Sequence, residues 1–232
     1  MGNELVPYKV NLPAVTDDQM TTLDEVAKGS DFLPRIQLIT KGKYVDTSKI
    51  GAGHWGVPLP GGEEIEDLGE KIDIVPFSYR PKALDVSDRE AIVSVYDVKD
   101  PEFQRIKTAP KNTGCMWGPS FLVMERSTGK LYELFFGNIS GRTESGKLKP
   151  FLPSKANKGQ PSAASLGIRY KKLPDYGWHL PVITKCSEPF DPANVKFTEE
   201  QLNQEIEKFL NPEKGVEKVN EKEAEKMKKR AR

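Results

Sequence analysis

The chain has 232 residues, 37% hydrophobic, 30% charged and 9% aromatic, with 35 Lys and Arg against 34 Asp and Glu and a formal net charge of +1. That length suits one domain with a buried core plus appendages, and no apolar run approaches the roughly 18 residues that a membrane span requires. The 19 Gly and 18 Pro imply frequent turns and short strands rather than long helices.

Residues 1–30 are polar with little periodicity and read as an arm, with one short helix near Thr22–Lys28. The opening residues have neither a basic nor an apolar leader region, so a secreted or membrane-embedded protein is not expected. Met1-Gly2 begins like a myristoylation signal, but position 6 is Val where that signal needs Ser or Thr. A β domain is expected over 31–190. It starts with FLPRIQLIT, where Ile36, Leu38 and Ile39 suggest a strand after Pro34. A short strand follows at Trp55–Leu59, then a Pro-Gly-Gly turn and a long strand through Ile72, Ile74, Phe77 and Tyr79, with Phe77 and Tyr79 on one face. AIVSVYDV from Ala91 reads as another strand, and Asp100-Pro101 opens a helical turn or two. Phe121–Glu125 and Leu131–Phe136 flank the RSTGK turn as a hairpin. ASLGIRYKKL and HLPVITKC are two further strands joined by PDYGW.

Residues 191–211 hold a C-terminal helix from Thr198, the cap of a capping box, with Leu202, Ile206, Phe209 and Leu210 on its apolar face. The tail, 212–232, alternates rows of Glu and Lys at i+4 spacing without an apolar stripe and reads as a solvated, charged segment. The fold class expected is mostly β (α+β), an OB-like barrel with long loops and a C-terminal helix.

The near-zero net charge conceals segregation. From Gly61 to Asp73 six acids face Lys71 alone, a net of −5; from Gly141 to Lys172 eight bases face Glu144 alone, a net of +7. One-sided charge of this kind points to a polyanion contact more than to a mixed solvated face.

Catalytic patterns fail in turn. There is no GxxxxGK[ST] loop, GAGHWG lacks the strand and helix that frame a dinucleotide site, and Gly118-Pro119-Ser120 is followed by Leu122 where a nucleophile elbow needs Gly. Cys115, Cys186, His54 and His179 have no metal-ligand spacing. The cysteines read as buried and inert in a reducing cytosol, and the histidines as structural. The acids of GGEEIEDLGEKID sit in one stretch that reads as a solvated turn rather than a Mg²⁺ site. No enzyme activity, cofactor or metal is expected.

Binding to a nucleic acid needs only cations for phosphates and aromatic faces for unpaired bases. The candidates are Tyr79, Arg80 and Lys82 of FSYRPKAL; Trp117; Phe136 and Arg142 of FFGNISGR; Lys147, Lys149, Lys155 and Lys158 of the basic run; and Arg169, Tyr170, Lys171, Lys172 and Trp178. Tyr79, Trp117, Phe136, Tyr170 and Trp178 read as surface aromatics because their neighbours are polar, glycine or basic. Phe77, Phe121 and Phe135 read as core. Ser140–Lys158 is expected as a flexible basic loop or short helix that follows a sugar-phosphate backbone.

The strings FLPRIQLI, DLGEKIDIVPFSYRPKALD, CMWGPSFLV and ELFFGNISGR resemble small tailed-phage proteins that look like phage single-stranded DNA-binding proteins, over roughly residues 30–190. The resemblance implies an oligonucleotide-binding fold that coats exposed DNA in phage replication or recombination, in the host cytoplasm, alongside replication or recombination proteins. Many such proteins end in an acidic tail, whereas this chain ends EKMKKRAR. Two other classes stay open: a module that docks on and inhibits a host protein through its oppositely charged segments, and a self-assembling structural β protein. RNA as the ligand and a homo-oligomeric state stay open too.

Overall fold

Strand β4, Ile72–Asp85, organises the fold. It is long because alternate Ile, Val and Phe residues can be buried on both of its faces, and because its prolines, Pro76 and Pro81, fall where the ladder tolerates them. The computed structural model describes residues 33–39, 50, 52–59, 65–87, 93–111, 113–155, 158–172, 177–188, 190 and 195–212, all within one unit, Leu33–Lys214. The predicted arm and charged tail lie outside the described residues.

In chain order the elements are β1 Arg35–Leu38, β2 Trp55–Pro58, β3 Ile65–Gly69, β4, β5 Val93–Val95, helix α1 Pro101–Thr108, β6 Cys115–Glu125 and β7 Leu131–Phe135. Helix α2 Ile139–Ser145, a 3₁₀ helix Gly146–Phe151, β8 Ala164–Lys172, β9 Gly177–Lys185 and helix α3 Glu199–Leu210 complete them. The strands make a mixed sheet in the order β3-β2-β1-β7-β6-β4-β8-β9, with β5 added beside β4. β1 and β7 pair in parallel and the remaining ladders are antiparallel. The fold is thus mostly β with a few helices, as expected. The expected barrel does not close: the sheet is open, with β3 and β9 as its ends. It curls strongly all the same, since Pro181 of β9 and Trp55 of β2 line one cavity. A Cβ added to Gly53, just before β2, would lie 2.6 Å from the ring of His179 on β9.

Two cores lie on opposite faces of the sheet. Ile36, Trp55, Ile72, Ile74, Phe121, Leu134 and Leu166 fill the concave one, which Leu148 of the 3₁₀ helix caps. Val75, Phe77, Leu122, Met124 and Phe209 fill the other. Helix α3 therefore packs into the β unit through Phe209. Its capping box is closed by Gln201, which accepts from Thr198 N at 2.9 Å while Thr198 Oγ1 accepts from Gln201 N at 3.1 Å. Leu210, predicted on its buried face, is exposed. A third cluster places Phe103 and Ile106 of α1 on Ala83 of β4. There Asp100 caps the helix by accepting from Glu102 N at 2.8 Å, and Pro101 takes its first position.

One irregularity overturns the predicted facing of β4. The β4–β6 register slips between Pro76 and Ser78, a bulge at Phe77. An extra residue inverts the alternation beyond it. Phe77 stays in the second core, while Tyr79 pairs with Phe121 of the first. Residues 65–69, read as part of a solvated acidic turn, form the edge strand β3 instead. Its Ile65 and Leu68 supply the apolar partners that such a strand needs.

Candidate nucleic-acid interface

Tyr79 and Tyr170 are the aromatic residues, among those described, that stand more than half exposed, at 58% and 56%. The β4 bulge turns Tyr79 outward on the concave-core side, with its ring 6.0 Å from that of Phe121. Tyr170 is in phase with Leu166 and Ile168 on β8 but lies beyond the core, 5.0 Å from the His179 ring opposite it on β9. Each ring has its underside supported and its outer side in solvent, which suits a stacking platform.

The cations of the basic segment stand on the 3₁₀ helix, after it, and on β8, where Tyr170 lies among them. Lys149 is on the 3₁₀ helix, Lys155 and Lys158 follow it, and Arg169 and Lys172 flank Tyr170 on β8; all are exposed and none makes an ion pair among the described residues. Lys171 is exposed as well. Lys147 is exposed but held by Glu144 at 2.7 Å. That carboxylate also accepts from Ile183 N at 2.8 Å. Burial would raise the Glu144 carboxyl, yet the Lys147 and Ile183 hydrogen bonds keep it below the usual range. The segment's single acid is thus engaged internally. Lys158 adopts φ +56°, in the left-handed region. Of the loop or short helix expected over 140–158, the helical form is found over most of it: Asn138 Oδ1 accepts from Gly141 N at 2.6 Å to start α2, and Leu148 anchors the 3₁₀ turn in the core.

Several predicted contacts lie elsewhere. Phe136 is buried, 5% exposed, with its ring edge-on to Phe121 at 6.0 Å. Trp117 is half-buried between Arg142, whose Cζ lies 4.0 Å from its ring, and Lys107 at 5.2 Å. Arg142 donates through Nη1 to the carbonyls of Trp117 at 2.7 Å and Gly137 at 2.9 Å. Arg142 therefore pins the β7–α2 turn to β6 rather than standing free. Trp178 is in β9 opposite Lys171; its side chain lies outside the described residues. Phe135, read as core, is half-buried.

Arg80 and Lys82 face the other side of the sheet, because the bulge that exposes Tyr79 turns them inward. Lys82, 3% exposed, donates to both oxygens of Glu133 at 2.9 and 2.7 Å. Ser120 Oγ donates to the same carboxylate at 2.6 Å. Arg80 is stacked between the rings of Tyr96 at 3.8 Å and Phe209 at 4.2 Å, and donates to the Phe209 carbonyl. Sequence reasoning missed Glu133, Arg35 and Tyr96 here. The one available signal was a Glu inside the apolar strand LYELF.

Compared with known proteins, the chain matches no family model, no curated protein and no solved structure.

The acids of the −5 segment that are described turn mainly to neighbours within the fold. Glu66 lies 3.4 Å from Lys130 and Asp67 2.9 Å from His54 Nδ1. Asp73 accepts from Cys186 Sγ at 3.2 Å and from Ser165, with Arg126 at 3.7 Å. Burial would raise the Asp73 carboxyl, but these donors and the nearby Lys71 hold it below the usual range. Among the described residues no group of three or more His, Cys, Asp or Glu is arranged to hold a metal ion. No described helix is long and apolar enough to cross a membrane.

Proposed function

We propose that the protein binds single-stranded nucleic acid, DNA in the first instance, by phosphate attraction and base stacking without sequence preference. One observation carries this reading: Tyr170, one of the two most exposed aromatic rings, stands on β8 between the exposed Arg169 and Lys171, in a basic segment whose one acid is internally engaged. Cations follow the sugar-phosphate backbone while the tyrosines accept any base face. We place this activity in phage DNA replication or recombination.

Docking on a host protein through two complementary charged segments is the weaker reading, since Glu66, Asp67 and Asp73 are taken up by Lys130, His54 and Arg126. The test is fluorescence-anisotropy titration of a labelled oligo-dT of about 30 nucleotides and of the matching duplex, at low and moderate salt. Salt-sensitive preference for the single strand is the expected result. No binding at low salt refutes the proposal.

A further inference from the structure

Behind Tyr79, on the opposite face of the sheet, three cations converge on one carboxylate. Lys82 Nζ is 2.7 Å from Glu133, Arg35 Nε is 3.5 Å away and Arg80 Nη2 3.6 Å. The Lys82 and Arg80 side chains are only 4% and 10% exposed. Buried charge is costly unless it is balanced, and here two positive charges have no counterpart among the described residues. Arg80 Nε and Arg35 Nε are both buried without a hydrogen-bond partner. The surroundings add aromatic faces rather than acids: Phe135 lies 5.7 Å from Arg35 and 5.6 Å from Lys82, and Tyr96 5.7 Å from Lys82.

Arg35 is the member that reaches solvent, at 33% exposure of its side chain. Its terminal Nη atoms donate to no group among the described residues. It also lines a cavity of about 210 Å³ together with Gln37, Trp55, Phe135, Asn138 and Pro181. No Asp or Glu is among the described residues of that wall. A cavity with no described carboxylate in its wall, edged by a partly exposed guanidinium that shares the single carboxylate of Glu133 with Lys82 and Arg80, suits an acceptor-rich anion.

We propose that this cavity is an anion site for a phosphate group, with the Arg35 guanidinium as the direct contact and Lys82 and Arg80 as the buried charges behind it. The state of Lys82 agrees with an unfilled need for negative charge. Burial, with Arg35 and Arg80 beside it, outweighs Glu133 and brings its pKa down from 10.5 to about 8. A bound phosphate opposes that shift, so binding slightly above pH 8 draws a proton onto Lys82. The groups facing Lys82 are Arg80 on its own strand, Glu133 on β7, Arg35 on β1 and Tyr96 after β5, with Ser120 of β6 on the shared carboxylate.

The experiment is isothermal titration of the full chain with inorganic phosphate, first near neutral pH and then at about pH 8.5 in buffers of different ionisation enthalpy. Saturable binding is expected, weakened roughly tenfold to a hundredfold in Arg35→Gln and unchanged in Lys185→Gln, an exposed lysine on β9. Net proton uptake at the higher pH tests the wild-type chain without any variant. Competition by oligo-dT identifies the phosphodiester of a strand as the source, whereas competition by thymidine monophosphate alone identifies a free phosphate monoester. No saturable phosphate heat, phosphate binding by Arg35→Gln equal to wild type, or the absence of proton uptake overturns the proposal. Because phosphate is titrated by itself, failure of single-strand binding leaves this result readable.

Discussion

Consider replacing three exposed lysines together: Lys149→Gln, Lys155→Gln and Lys158→Asn. Asn is chosen at 158 because that residue sits at φ +56°, where Asn is tolerated better than Gln. None of the three makes an ion pair among the described residues, and all are exposed, so stability should move by no more than about 0.5 kcal/mol. If each contacts one phosphate of a single strand, removing it lowers the salt slope of log K by about 0.7, or about 2 for the three. Between about 50 mM and about 200 mM salt, a fourfold change, the wild type should then lose about 20-fold more affinity than the triple variant does. Anisotropy titrations at four or five salt concentrations measure the slope directly, and a thermal melt checks that the fold is intact. A variant that binds more weakly with an unaltered slope, or one indistinguishable from wild type, refutes the assignment of this loop to the strand.

Tyr79→Ala and Tyr170→Ala should each weaken single-strand binding by roughly 1–3 kcal/mol with little change in melting temperature, and Tyr79→Phe should bind as wild type; a large loss of Tm instead would place the ring in the core. The depressed pKa of Lys82, about 8 against 10.5, means that the unfolded chain holds this proton more tightly, so stability should rise as pH climbs from about 8 to about 10.5. Urea melts of wild type and Lys82→Met across that window should diverge by up to about 3 kcal/mol, and parallel curves would refute it. Glu133→Gln should destabilise the fold by about 3–5 kcal/mol in the same assay, because it leaves buried cations uncompensated. Gly53→Ala should cost at least about 1 kcal/mol, since φ is +97° and the new Cβ meets His179. Adding His179→Ala should relieve the contact but not the backbone strain, giving partial recovery in a double-mutant cycle.

Local chemistry made much of the fold legible in the sequence. The RSTGK hairpin, the Asp100-Pro101 helix start and the Thr198 cap depend on contacts within a few residues, and the strands at 35–38, 55–58, 164–172 and 177–185 are marked by their own alternation and flanking turn residues. The exposed basic run was legible too, because its charges need no partner to be recognised. Tertiary structure decided the rest. The bulge at Phe77 is a mismatch between two strands some 45 positions apart along the chain, and it alone determines that Tyr79 faces solvent while Arg80 and Lys82 turn inward. Phe136 follows a strand whose crossing under Gly118 is tight, with its carbonyl 2.0 Å from where a Cβ of that glycine would stand, so its basic neighbourhood in sequence says nothing of its burial in space. Whether the sheet closes is likewise a matter of global curl, which no local pattern encodes. Sequence determines charge, caps and alternation because these act over one turn or one strand. Register, and with it the choice of which residue faces solvent and which cation meets Glu133, exists only once distant strands have paired.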